Sequence, residues 1–452
     1  MQKPAPQRIA IVGVGASGAL MAAHLMRSRR ADLDVTLVET RAQIGRGLAY
    51  ATENPSHLLN VRAGNMSAFA DDSGHFARWL AAQADAPHSD SDPEFRFVSR
   101  GLYGRYLESL VREHLDGPGS GRLTLLRDEV RAIRPTPDGV EIALAAGAPL
   151  RADRVILACG HESIVDGGFP FMNPWSEPIG GGAPLDATLL ILGTGLTMVD
   201  AALALAERGH RGRIVAMSRR GLTPHAHRQV SPLPIDAASA PFDRDLPTQL
   251  HWLRGLARDH AANGGDWRSV VDGLRPHTQA IWRTLSTPRR ARFLKHARTW
   301  WDIHRHRMAP EVAGRLEAMI AGGKLEIVAG RIAEVRTSGD AAEVTFRRRG
   351  AAARERLVVA RIISCKGVSA DPVRSANPLI RSLFAEGLAR TDPLKIGIEV
   401  APDCAVVDRD GRVSQRIFAI GPMSQAAFWE IIAVPDIRLQ TAALAARLAE
   451  PA

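Results

Sequence analysis

Two glycine turns 180 positions apart end in opposite charge, and that contrast bears the most chemistry in the chain. The first follows Ile9-Ala10-Ile11-Val12 with Gly13-Val14-Gly15-Ala16-Ser17-Gly18, a G-x-G-x-x-G that runs into a helix-forming stretch. Glu39 stands 26 positions beyond Gly13, at the end of Val35-Thr36-Leu37-Val38. The second follows Leu189-Leu190-Ile191-Leu192 with Gly193-Thr194-Gly195, and its next apolar run, Ile214-Val215-Ala216-Met217, ends in Ser218-Arg219-Arg220. Glycines let a backbone approach a pyrophosphate, and the helix N-terminus behind them favours its negative charge. An acid at the end of the next strand accepts hydrogen bonds from a free ribose, whereas a serine followed by arginines suits a 2′-phosphate. Gly13, Gly15, Ser17, Gly18 and Glu39 thus read as a site for FAD or NAD. Gly193, Gly195, Ser218, Arg219 and Arg220 read as a site for NADPH. This second turn is incomplete, because Met198 stands where a third small residue is expected.

Those turns need strands and helices to aim them, and the pattern around each supplies both. After the first come Leu123–Leu126, Val130–Ile133, Val140–Ile142 and a run from Ala152 that closes on Cys159-Gly160. After the second come Leu325–Val328, Ile332–Val335, Val344–Phe346 and a run from Val359 that closes on Cys365-Lys366-Gly367. Each reads as a strand, an antiparallel meander and a returning strand. A closing strand, Arg416–Ile420, leads into Gly421-Pro422, and a helix is expected from Ala433 to Leu448. The fold class is therefore α/β, with two doubly wound Rossmann-like dinucleotide-binding domains, the NADPH domain inserted into the FAD domain. The expected boundaries are 1–180 and 369–452 for the FAD domain. Residues 181–368 form the NADPH domain, with a helical insert over about 222–310.

The 452 residues allow two or three domains with full cores, and the 45% hydrophobic and 23% charged shares are those of a globular protein. No apolar stretch spans a bilayer and the N-terminus has no signal-peptide core, so a cytoplasmic location without membrane partners is expected. The net charge of +10 comes from arginine spread along the whole chain, which argues against a nucleic-acid partner. Three cysteines, Cys159, Cys365 and Cys404, include no C-x-x-C pair, so neither a disulfide framework nor a dithiol redox centre is expected. His225, His227, His304 and His306 form two His-x-His pairs, but with no cysteine near them and only Asp302 to add, no metal site is expected. Phe293, Ala297, Trp300 and His304 share helical spacing and read as a core stripe.

The chain resembles bacterial FAD/NAD(P)-binding oxidoreductases related to flavin-dependent N-hydroxylating monooxygenases. The resemblance rests on the Gly13/Gly15/Gly18 turn, the segment Gly45-Arg46-Gly47-Leu48-Ala49-Tyr50 through Asn60, and Gly193-Thr194-Gly195-Leu196-Thr197-Met198-Val199-Asp200. It extends through Ser218-Arg219-Arg220-Gly221, Trp301-Asp302-Ile303-His304-Arg305-His306-Arg307 and Trp429-Glu430-Ile431-Ile432-Ala433-Val434-Pro435. It implies that Arg46, Gly47 and Asn60 lie along FAD, with Asn60 and His57 either flavin-side polar groups or partners of the local backbone. It also implies that Gly160, Gly421 and Pro435 complete the FAD site, the helix at Pro435 facing the flavin's pyrimidine edge. In such flavoproteins Gly421 is usually followed by an acid that meets the ribityl chain; here Pro422 follows. Arg100 and Arg105 either touch phosphate or an anionic substrate, or pair with Glu108 or Asp92.

The resemblance implies that NADPH reduces FAD. Reduced FAD then forms a hydroperoxyflavin with O2 and transfers one oxygen to a small substrate, acidic or amine-bearing, as in N-hydroxylation. The alternative is a reductase or dehydrogenase that passes electrons to an organic acceptor without oxygen insertion. A third reading is a redox sensor that binds both nucleotides without turnover.

Overall fold

The computed structural model describes residues 6–450 apart from 29, 31, 85–92, 117–119, 161–167, 176–178 and 368–370. The chain opens with β1 (Gln7–Val12), α1 (Ala16–Arg27) and β2 (Leu33–Val38), then α2 (His75–Ala81), α3 (Arg100–Asp116) and β3 (Leu123–Leu126). A meander of β4 (Val130–Thr136), β5 (Gly139–Leu144) and β6 (Leu150–Ala152) leads back to β7 (Arg154–Leu157). The second unit holds β8 (Phe171–Met172), β9 (Leu189–Leu192), α4 (Leu196–Glu207) and β10 (Ile214–Ser218). Five helices come after it: α5 (Leu246–Ala262), α6 (Trp267–Leu274), α7 (Thr278–Thr284), α8 (Thr287–Arg292) and α9 (Arg298–Arg305). Next come α10 (Pro310–Ala321), β11 (Leu325–Ser338), β12 (Ala341–Arg348), β13 (Glu355–Val359) and β14 (Arg361–Ser364). The chain ends in α11 (Pro378–Ala385), β15 (Ala405–Val407), β16 (Val413–Ala419) and α12 (Val434–Ala449).

The first sheet runs β15-β16-β7-β1-β2-β3, so its last two strands arrive only after the second unit is complete. That order is the insertion expected from the sequence. The second sheet runs β13-β12-β11-β10-β9-β14-β8, parallel from β11 through β8 and antiparallel across β11, β12 and β13. The two meanders differ in attachment. β4, β5 and β6 form a sheet of their own, whereas the 14-residue β11 belongs to both parts of its sheet.

Continuous apolar runs form these parallel strands because both faces are covered. Leu189 and Ile191 face the α4–α10 layer, while Leu190 and Leu192 face the meander side with Phe346 and Val344. In the first unit α1 packs between α12 and α3, which buries Leu20, Met21 and Leu25 completely.

The helical insert is tied at its base by Ala226 and Met308, which bridge in parallel. Asp245 and Asp266 cap α5 and α6 through bonds to the amides of Thr248 (3.0 Å) and Arg268 (2.9 Å), the usual satisfaction of orphan helix donors. Between α8 and α9, Phe293–Ala297 forms a π-helical turn. The added residue rotates the succeeding helix by about 100°. Trp300 therefore points outward, 47% exposed, which corrects its expected place in a core stripe, while Trp301 turns inward onto Glu430.

Candidate dinucleotide sites and the seam between them

Gly13 carries φ +90°, and a Cβ there would lie 2.7 Å from the carbonyl oxygen of Ala158. A Cβ on Gly18 would fall 2.1 Å from the Gly13 oxygen. Both glycines are thus required by the closeness of β1, β7 and α1. Gly15 instead faces Gly47 (φ +55°): a Cβ on Gly15 would lie 3.3 Å from the Gly47 Cα, and one on Gly47 3.2 Å from the Gly15 Cα. Two glycines from separate loops thus form a bare cradle at the N-terminus of α1. Glu39 closes it, its Oε2 accepting the Val14 amide at 2.7 Å and its Oε1 the Arg41 amide at 3.0 Å. Gly160 (φ +73°) has open space around its Cα, and buried Ser17 sits under Gly421, where a Cβ would fall 2.2 Å from its Oγ. The Gly421 amide donates to Gln440 Oε1 at 2.8 Å.

The loop after Glu39 divides into two parts. Arg46 forks onto Glu108 at 3.0 and 3.1 Å, and Glu108 also accepts from Arg112, so the Arg46 charge is matched within the first unit. Residues 54–60 reach the second unit instead. Asn54 donates to Glu207 (2.9 Å), Arg315 to Ser56 (2.9 Å), and His227 Nε2 bonds the Asn60 carbonyl (3.0 Å). Arg100 joins the same seam, pairing with Asp200 of α4 at 2.8 Å and with the Leu58 carbonyl at 3.1 Å. Glu108, the pairing expected for it, belongs to Arg46, and Asp92 lies outside the described residues; Arg105 has a partner of its own. His57 bonds Thr52 Oγ1 at 2.9 Å through Nδ1, while its buried Nε2 has no partner.

Opposite this loop lies Trp429–Pro435. Glu430 adopts φ +67° and is 3% exposed. It accepts from Trp301 Nε1 and lies 2.8 Å from Arg305 and 3.6 Å from His306. Burial alone would push its carboxyl up, but Arg305 and His306 outweigh that and hold it below the usual range. His306 is pushed down to about 4 by burial and is neutral at pH 7. Val434 and Pro435 open α12, where the missing proline amide costs nothing.

The second turn is looser. Gly193 (φ +107°) is forced, since a Cβ would lie 2.3 Å from the Cys365 carbonyl oxygen, but Gly195 has nothing within 4 Å. Met198 is completely buried in the α4 core, so the position of a third small residue serves packing. Ser218 Oγ shares a 2.9 Å bond with Thr194 Oγ1 and accepts the Gly221 amide at 3.0 Å. Arg220 donates to the His296 carbonyl at 3.3 Å, and Arg219 is exposed.

These residues line a cleft of about 1660 Å³ whose opposite wall is also basic: Arg331, Arg347 and Arg349 from the β11–β12 hairpin, with Lys295 from the π turn. Asp302, paired with Arg298 at 3.4 Å, is its one carboxylate among the described residues. The Arg347-Arg348-Arg349 run was the sequence signal for that wall, and a reading of strand periodicity alone passes over it. Among the described residues, no three metal-binding side chains converge, and no helix is long and apolar enough to cross a membrane.

Residues 10–162 match the family model described as FAD-NAD(P)-binding. The match runs from β1 and the first glycine turn through β7 and Gly160. The bare Gly15/Gly47 cradle and Glu39 beside it fit a dinucleotide pyrophosphate and ribose, and the cationic cleft fits the phosphates of a second one. No curated protein sequence matches the chain. Among solved structures it is similar over 98% of its length to 99% of ornithine hydroxylase from Pseudomonas aeruginosa, at 13% identity and a TM-score of 0.67. Ornithine N-hydroxylase from Kutzneria sp. 744, solved with reduced FAD, NADP⁺ and L-ornithine, matches over 98% and 99% at 15% identity and 0.60. Thioredoxin reductase from T. acidophilum matches over 98% and 97% at 11% identity and 0.52. These likenesses establish the fold, an α/β architecture with two Rossmann-like units.

Proposed function

We propose that the chain is an NADPH-dependent FAD monooxygenase that transfers one oxygen atom to a small organic substrate. Its FAD domain would comprise 1–180 and 369–452, and its NADPH domain 181–368. The observation that carries this reading is the seal between the helical insert and the C-terminal loop of the first unit. Trp282 stacks on Trp429 at 4.6 Å, donates its Nε1–H to the Ala426 carbonyl at 2.8 Å, and packs with Phe293. An oxygen-transferring site must keep water out, and a wall of indoles beside the flavin end of the domain does that.

FAD, when bound, would supply the redox chemistry between NADPH and O2. The chain does the rest. Gly13, Gly15, Ser17, Gly18 and Gly47 let the backbone approach the pyrophosphate, and Glu39 accepts from the ribose. Gly160 and Gly421 leave room along the cofactor, and Arg46, held by Glu108, braces the loop. The α12 N-terminus at Pro435 would stabilise negative charge on the bound flavin. His57 Nε2 and Asn60 offer polar groups on the flavin side. Gly193, Gly195, Ser218, Arg219 and Arg220 hold NADPH across the seam.

The alternative, a reductase or dehydrogenase that passes electrons to an organic acceptor, draws on the thioredoxin reductase likeness, and the cysteines oppose only its dithiol form. Cys365 and Cys404 are buried, their thiols pushed up by burial, Cys404 to about 12, and neither pairs with another cysteine. The deciding test is turnover under ¹⁸O2 with NADPH and a panel of amines, amino acids, organic acids and sulfides. One labelled atom in the product supports the monooxygenase. Anaerobic NADPH oxidation by an organic acceptor, without label, supports the reductase, and no NADPH consumption at all supports a sensor.

A further inference from the structure

Beside the nucleotide cleft lies a second cavity of about 90 Å³ in the helical insert. Its wall carries four indoles, Trp252, Trp282, Trp301 and Trp429, with aliphatic side chains between them. Trp282 and Trp301 have acceptors for their N–H groups in the Ala426 carbonyl and Glu430. Trp429 does not: it is 4% exposed and its Nε1 has no partner. A buried donor left without an acceptor is costly, so this indole suits a group that the polypeptide does not provide.

The cavity shares a wall with an uneven charge cluster. Trp301 reaches Glu430, Trp429 precedes it in the chain, and the cavity residue Leu274 precedes Arg275. Arg275, Arg305 and Arg438 stand around two carboxylates, Glu430 and Asp436. Arg305 is 7% exposed and contacts Glu430, yet its Nη2 has no hydrogen-bond partner, nor has Arg438 Nε, while Arg275 Nη2 lies 3.7 Å from Asp436 Oδ2. Glu430 Oε2 and Asp436 Oδ2 are also short of hydrogen bonds, but three guanidinium groups, Arg305 buried and the others half-buried, around two carboxylates leave one positive charge over, which suits an added anion.

We infer that one ligand spans both features: a carboxylic acid with a short apolar group. Its carboxylate lies on Arg305 and Arg275, its apolar end fills the tryptophan cavity, and one of its oxygens accepts from Trp429 Nε1. The cavity is smaller than the roughly 150 Å³ that takes a benzene ring, so a short alkyl group suits it better than an aromatic one. The inference rests on the oxidoreductase reading and gives that reaction its substrate class, an acid rather than a free diamine.

The test is calorimetric titration of the FAD-loaded protein with 4-methylpentanoate, 4-methylpentylamine and acetate. The expected result is that 4-methylpentanoate binds at least about tenfold more tightly than either of the others, a difference of about 1.4 kcal/mol. Leu253→Trp, which fills the cavity, should bring 4-methylpentanoate down to the level of acetate. Arg275→Gln should erase the preference for acid over amine. An amine that binds as well as the acid overturns the inference, as does an acid affinity unchanged in Leu253→Trp. Should Leu253→Trp lose its cooperative thermal transition, Leu250→Phe replaces it with the same expectation. Failure of the underlying reading appears elsewhere, as normal acid binding with no bleaching of the flavin by NADPH.

Discussion

The two glycine turns share a strand-turn-helix frame but differ in tolerance. In the first, Gly13, Gly15 and Gly18 are each pressed against backbone, and Gly47 comes from another loop to meet Gly15. In the second only Gly193 is pressed; Gly195 faces open space and Met198 fills the helix core. The first turn is a closed cradle, suited to a cofactor that stays, and Glu39 is anchored across it. The second is one edge of a wide cationic cleft, suited to a nucleotide that arrives and leaves by charge.

The largest effect should come from testing that tolerance directly. Gly18→Ala places a methyl 2.1 Å from the Gly13 oxygen, a backbone atom that cannot step aside. A loss on the order of 3 kcal/mol is expected, with protein that retains no flavin colour. Gly195→Ala meets no neighbour within 4 Å and should stay within about 1 kcal/mol of the parent. Urea denaturation and flavin absorbance per polypeptide measure both, and equal losses would abolish the distinction between the turns.

A smaller effect sharpens the electrostatic side. Arg219 and Arg220 follow Ser218 at the end of β10, and changing both to alanine should raise the KM for NADPH about 10- to 100-fold while leaving NADH use nearly constant. Equal loss for the two nucleotides would remove the 2′-phosphate assignment. Arg331→Ala with Arg347→Ala, from the opposite exposed wall, should cost less, about threefold, and that cost should vanish at high salt. A large, salt-independent loss would instead make the hairpin a specific phosphate ligand.

Much of the fold was legible because its signals are local. The glycine spacing, the acid 26 positions past Gly13 and the apolar runs of β1, β9 and β10 each come from nearest-neighbour geometry. The insertion was legible too, since an unpaired closing strand near Ile417 needed a sheet to join. What escaped depends on residues far apart in sequence. Nothing near Arg100 points to Asp200, nor does anything near Trp301 point to Glu430. Trp300 left the expected stripe because one π turn changes the helical phase, which an ideal 3.6-residue period cannot register.

The subtlest expected effect separates the first-unit core from the seam through buried histidines. His24, on α1, is pushed down to about 4 by burial and then by Arg27. His227, on the seam, is pushed further, to about 3, by burial and then by Arg307. In the unfolded chain both titrate near 6.5. Between that value and the folded pKa the unfolded state binds more protons, so stability is complete above pH 6.5 and falls as the pH drops below it. The fall for His227 continues to lower pH than the fall for His24. His227→Gln keeps a donor for the Asn60 carbonyl and removes the titration, so it should flatten the decline in thermal midpoint between pH 6.5 and pH 4. His24→Gln should flatten the decline less, and mainly above pH 4, because its titration ends sooner. If His24→Gln flattens the curve as far down as His227→Gln does, the seam carries no more uncompensated burial than the core of the first unit.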